Sequence, residues 1–188
     1  MQPDPNRPPD DNKLRELILF IAKQSRGDER FGSVKLNKLL FFSDFLAYVR
    51  LGSSITGQEY QCLKKGPAPR KLLPIIKSMK RSGALTIEDR EYHGHTQKVP
   101  TALREPNLAE FTAEEIGIVT EVLVAHYRKN AKSISSKSHE FSGWQLAQEG
   151  ETIPYQTALV RFLKVRKKDL ETAQKMKAEL VALKKTCP

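Results

Sequence analysis

One segment limits the possible folds of this chain more than any other. Starting near Ser33, it reads "VKLNKLLFFSDFLAYVRLG". At 100° per residue its apolar side chains cover most of a helical circumference. Asn37, Asp44 and Tyr48, spaced seven and then four, form the one narrow polar stripe. A helix that is apolar nearly all round must be covered by several neighbours, so this one is expected at the centre of a domain. Ser33 is the expected N-cap. Lys35 and Lys38 lie in the first turn, where the helix dipole disfavours cations. Their expected position is in solvent, with the stems lying along the helix; the alternative is contact with acidic groups of a partner.

The neighbours needed to cover this helix are legible on both sides. Leu14, Leu17, Ile18, Ile21 and Ala22 recur at three and four, predicting a helix over 12–24 that ends before Gly27. After the central helix, Ser53 to Gly57 is read as a turn and Glu59 to Leu63 as a short extended piece. "KKGPAP" is read as a loop, because two prolines and a glycine continue neither a helix nor a central strand. A third helix follows to about Arg81. Pro69 is expected at its first position, with Leu72, Leu73, Ile75, Ile76 and Met79 inward. "ALTIEDREYHGHTQKVPTALRE" predicts a hairpin, Leu85 to Glu91 and Thr96 to Ala102, turning at Gly94. Its poor alternation and Pro100 suggest a small exposed ribbon. Thr112 and Glu115 form a capping box before a helix to about Lys129, with Ile116, Val119, Val122, Leu123 and His126 on one side.

The last helix is expected from Thr157 towards Lys185, with Leu159, Phe162 and Leu163 docked on the core. Beyond them Leu170, Ala173, Met176, Leu180 and Leu183 form a thin apolar stripe among lysines. Such a stripe suits packing on a partner or a second copy, or else a frayed tail. The fold class is therefore mainly α with a minor β part (α+β). It is a compact multi-helix domain whose helix, helix and hairpin follow the order of a winged helix. The expected divisions are a Pro-rich disordered tail over 1–11, the domain over 12–163, and a basic helical extension over 164–188.

Composition narrows the functions. The 188 residues carry a formal net charge of +10, which favours polyanionic or acidic partners. From Arg161 onward nine cations face three carboxylates. No apolar run approaches the length of a membrane span, and "MQPDPNRPPDDN" holds no secretory signal. Cys62 and Cys187 have no metal spacing and read as free thiols of a cytoplasmic protein.

Enzyme motifs fail where they begin. His139-Glu140 opens like H-E-x-x-H, but Gly143 stands at the second histidine position. No G-x-S-x-G elbow exists, and Glu140 adjoins His139 too closely in sequence to orient its ring. Ser142 to Gln145 reads instead as a second capping box, opening a short helix that closes at Gly150. Trp144 is then a core anchor, and His139 bonds a backbone group beside the turn. His93 and His95 flank the hairpin turn and are expected to be exposed, with metal chelation as the alternative. Lys64, Lys65, Arg70 and Lys71 surround a helix start and form an anion-attracting loop or a merely solvated one.

Three blocks in order, "VKLNKLLFFSDF", "ITGQEYQCLKKGPAP" and "SHEFSGWQLAQEGETIPYQTAL", are similar to the Panacea or SocA-like antitoxin domain. Lys35, Leu36, Lys38, Leu39, Leu40 and Asp44 match its first block. Gly66 and Pro67 match its central turn. Ser135, Ser138, His139, Trp144, Gly150, Ile153, Pro154 and Tyr155 match its last block. The resemblance runs over about 12–163 and implies no cofactor and no catalytic residue. It implies an antitoxin of a bacterial or phage toxin–antitoxin pair that binds its cognate toxin directly. An adaptor delivering the toxin to a ClpXP-like protease is the alternative within the family. Separately, a winged-helix-like DNA binder would use Arg70, Lys71, Lys77, Lys80 and Arg81 on the duplex. For toxin contact, the hairpin and the Lys64–Lys71 loop are the expected regions.

Overall fold

A computed structural model describes residues 7–92 and 94–160, with scattered positions between 168 and 179. The central helix is α2 (Ser33–Leu51), preceded by α1 (Asp11–Gln24). On α2, Leu36, Leu39, Leu40, Phe41, Phe45 and Ala47 are all buried. Most of the circumference is covered by α1 and by two later helices, α4 (Ala113–His126) and α5 (Ala131–His139), as the apolar pattern requires. Leu14, Leu17, Ile18 and Ile21 of α1 meet Leu36, Leu40, Val119 and Val122 in the main core. A second, aromatic core joins Phe41 and Phe45 to Tyr60, Phe141 and Ile153.

The remaining elements clip this bundle together. β1 (Tyr60–Gln61) lies between β2 (Ala68–Pro69) and β5 (Thr152–Ile153), antiparallel to both. α3 (Leu72–Arg81) leads into a hairpin of β3 (Leu85–Tyr92) and β4 (His95–Ala102). α6 (Ser142–Leu146) is a single short turn of helix, and a 3-10 helix, Tyr155–Val160, packs on it.

Several expectations change. The first turn of α2 is not capped by Ser33: Gly32 is the N-cap, and Ser33 Oγ donates to Lys98 O at 3.1 Å. Within the polar stripe of α2, Asp44 and Tyr48 are buried and Asn37 is half-buried. Pro69 stands in β2, opposite Tyr60, and Leu73 is 79% exposed because Leu72, Ile75 and Met79 already fill the inward face of α3. The hairpin is more than an exposed ribbon: Leu85, Val99 and Ala102 at its base belong to the main core, and its outer part alone projects.

Helix α5 went unread in sequence, its apolar content being Ala131 and Ile134 among serines and lysines. Asn130 starts it by accepting from Ser133 N at 2.8 Å. Leu159 is 57% exposed rather than docked. Phe162, Leu163 and most of the proposed C-terminal extension lie outside the described residues. Residues 7–10 of the expected tail pack on the domain. Asp10 N donates to Thr56 O, and Arg7 reaches Ser54 O and Glu115. The capping box at Thr112 and Glu115 is present as read. Among the described residues no helix is long and apolar enough to cross a membrane.

Candidate functional site

All three sequence blocks meet at one place, beside the N-terminal half of α2. Lys38 lies there 1% exposed, against the expectation of a solvated ammonium group. Its Nζ donates to Pro67 O at 2.9 Å and has no carboxylate partner among the described residues. Burial lowers its pKa from the usual lysine value to about 8. Gly66, next to Pro67, explains how the loop comes so close. Its φ of +93° favours glycine, and a Cβ there would stand 2.5 Å from Ser138 Oγ and 2.8 Å from Lys38 Nζ.

The last block completes this wall. Ser138 is fully buried, and its Oγ donates to Ser135 O at 2.8 Å, one turn back in α5. The His139 ring stacks on Trp144, with centroids 4.0 Å apart and an interplanar angle of 13°. It also bonds the Lys65 backbone, in the central loop rather than beside the turn it precedes as expected, while its Nε2 is buried without a hydrogen-bond partner among the described residues. Desolvation, reinforced by the nearby Lys38 ammonium, holds His139 below the ordinary histidine pKa. Trp144 is half-buried, and its Nε1 donates to Leu63 O at 3.0 Å. The expected capping box at Ser142 is absent: Phe141 is the N-cap, and Gln145 Nε2 donates to His139 O at 2.9 Å. Gln145 thus holds the α5–α6 corner rather than the helix start.

Lys35, one turn earlier on α2, is also buried, at 2% exposure, but it is paired. Its Nζ bonds Asp28 at 2.5 Å and Lys129 O at 2.8 Å. Asp28 also accepts from the backbone N–H groups of Arg30 and Arg128, so one carboxylate ties the α1–α2 and α4–α5 links together. Among the described residues Asp44 has no cation partner. It accepts from Thr56 N (2.8 Å), Thr56 Oγ1 (2.5 Å) and Tyr60 OH (2.7 Å). Burial raises its pKa, against the pull of those bonds. Tyr155 caps the same region. Its hydroxyl donates to Gln58 O at 2.7 Å, and its ring lies against Phe45 and Tyr48. Ile153 is buried in β5 opposite Tyr60, and Pro154 O accepts from Thr157 N.

The four basic residues of the Lys64–Lys71 loop divide into two pairs. Arg70 is turned back onto its own domain: it pairs with Glu59 and donates to Gly150 O and Thr152 Oγ1. Lys71 pairs with Asp11. Lys64 lies 3.9 Å from Glu149, with its side chain 85% exposed, and Lys65 is exposed. These two, with Val34, Asn37, Lys38, Leu63, Gly66 and Glu149, line a cavity of about 310 Å³. His95 is exposed at the hairpin tip, and His93 lies outside the described residues.

Sequence reasoning missed a cleft of about 500 Å³ between α2, α4 and α5. Its floor is apolar (Phe42, Leu46, Val122 and Phe141 among others), and Arg50, Glu121, Lys137 and Glu140 form its rim. Arg50 pairs with Glu121 and Lys137 with Glu140, so the rim is charged yet internally neutral. The signal for it lay in α5, whose recognition is needed to see that the central helix has a partly open side.

No curated protein and no solved structure matches this chain. The model of one family, the antitoxin SocA-like, Panacea domain, matches residues 36–145. That span runs from α2 through the turn at Gly66 to α6, and so takes in the Lys38–Gly66–His139–Trp144 wall. By that match over more than half its length, the chain belongs to the SocA-like, Panacea domain antitoxin family.

Proposed function

We propose that this protein neutralises a protein toxin by binding it directly, and that it contributes no catalytic group of its own. The observation carrying this reading is where the family's polar residues point. Lys38, Asp44, Trp144 and Tyr155 direct their polar atoms at Pro67 O, Thr56 with Tyr60, Leu63 O and Gln58 O. Such bonds join segments distant in sequence into a rigid frame. They do not converge on an open cleft, as a nucleophile, base and charge-stabilising group would. A frame of that kind supports recognition through its surface, and the family supplies the class of partner.

The 500 Å³ cleft is the surface assigned to the toxin. Its apolar floor is continuous with the exposed Val49, and the exposed Leu159 and Val160 follow Ala158 on its wall. Exposed apolar area rimmed by polar groups marks protein contact surfaces. The cytoplasm of a bacterium is the setting, with the toxin encoded beside this chain. Co-expression of each neighbouring gene with the wild type and with Val49→Glu tests both parts. Rescue of growth by the wild type and its loss with Val49→Glu is the expected result. Failure of rescue with every neighbour would overturn the function, and undiminished rescue by the variant would overturn the surface. Toxin half-life in the same cells separates sequestration, which leaves it unchanged, from delivery to a ClpXP-like protease, which shortens it. DNA binding draws less support, since Arg70 and Lys71 are engaged within the domain.

A further inference from the structure

The cavity beside Lys38 calls for a ligand of its own. A buried ammonium group is stable when a carboxylate or several acceptors surround it. Lys35 has both kinds of partner, whereas Lys38 has the single acceptor Pro67 O among the described residues. An ammonium group carries three donors, so two of them remain to be satisfied. The cavity that Lys38 lines is also lined by Lys64 and Lys65 from the loop and by Asn37 from α2. Among the described residues Glu149 is the one carboxylate on that wall, and it is 3.9 Å from Lys64. His139, nearby, brings no negative charge in either protonation state, and its lowered pKa favours the neutral ring, so it is no counter-ion for Lys38. Helix α2 begins without a side-chain cap and without an acidic residue in its first turn, so nothing on the helix neutralises its positive end.

We propose that this cavity is a binding site for a phosphate-type oxyanion, held between the Lys38 ammonium and the Lys64 and Lys65 side chains. Three lysines from two segments act as separate point charges around a tetrahedral group, the mode in which lysine binds phosphate. The anion would supply the counter-charge that the fold itself withholds from Lys38. The site lies on the loop side of α2, lined by none of the residues of the toxin-binding cleft.

The test is titration of the full chain with inorganic phosphate, adenosine monophosphate and acetate at constant ionic strength. It is read by the side-chain 15Nζ resonance of Lys38 and by calorimetry. Phosphate is expected to shift the Lys38 resonance and raise the pH at which it titrates, with acetate weaker. Lys38→Met should abolish binding. The double variant Lys64→Glu/Lys65→Glu alters exposed side chains, so the fold should survive while phosphate affinity falls by about tenfold or more. Adenosine monophosphate binding more tightly than phosphate identifies a nucleotide as the source of the group; equal or weaker binding identifies free phosphate. An unmoved Lys38 resonance, or a double variant that binds as well as the wild type, would overturn the site and leave Lys38 as a clamp for the Gly66 turn.

Discussion

Replacing Lys38 by methionine should do the opposite of what deleting a buried hydrogen-bonding residue usually does. The lowering of the lysine pKa from 10.5 to about 8 is worth roughly 3 kcal/mol at about 1.4 kcal/mol per pH unit. That is the cost of keeping the ammonium charged inside the domain at neutral pH. Methionine removes the cost and fills similar space. It also leaves Pro67 O without its donor, which costs about 1–3 kcal/mol. At pH 7 the variant should therefore be as stable as the wild type or up to about 2 kcal/mol more stable in urea denaturation. The pH dependence is sharper evidence. The folded state releases the Lys38 proton first, so between the two pKa values unfolding takes a proton up. Wild-type stability then rises with pH relative to the variant, by about 2.5 kcal/mol between roughly pH 7 and pH 10. Tyr60 and Tyr155, whose hydroxyls burial pushes well up, affect both proteins and cancel in the difference. A methionine variant more than about 2 kcal/mol less stable at pH 7, or a flat difference across that range, would refute this account.

Gly66→Ala should cost about 2–4 kcal/mol, from left-handed backbone strain plus the overlap with Ser138 and Lys38, measured by the same denaturation. Glu115→Ala should cost about 3 kcal/mol or more, because it strands the buried Lys13, 2.7 Å away; Lys13→Met/Glu115→Met should recover most of the loss in a double-mutant cycle. His139→Phe keeps a ring against Trp144 and should change stability at pH 7 by less than about 1 kcal/mol. Because the folded pKa of His139 lies below its unfolded value, the wild type should lose stability as pH falls below about 6.5, and the phenylalanine variant should lose less; thermal melts across that range read the difference.

The fold was legible wherever periodicity was strong. The central position of α2, the face of α1, the capping box of α4 and the hairpin register all follow from spacing and turn residues. What escaped were features that depend on tertiary partners. Strands of two residues, such as β1, β2 and β5, carry no period to detect. α5 is built from weak helix formers and exists because Ile134 and Ser138 are buried against α2. At Lys35 and Lys38 the usual preference of lysine for solvent pointed the wrong way. Their positions on α2 are covered by other elements, and Asp28 and Pro67 O, distant in sequence, supply the partners. The family blocks contain the residues of the Lys38–Gly66–His139–Trp144 wall, but their spacing in sequence did not say that they meet. They could not reveal the cleft, whose walls come from α2, α4 and the unrecognised α5.

The pairing of β1 with β5 has a consequence for the order in which a newly made chain matures. Tyr60 lies fully buried against Ile153, and Tyr155 reaches Gln58 across 97 residues. Until the ribosome has delivered the last of these, the aromatic core lacks one wall, and Tyr60 and Phe45 stay open to water. Long-range closure of this kind is slow. The aromatic core therefore closes only after Ile153 and Tyr155 have been made, and a nascent chain paused before Thr152 keeps Tyr60 and Phe45 without that wall.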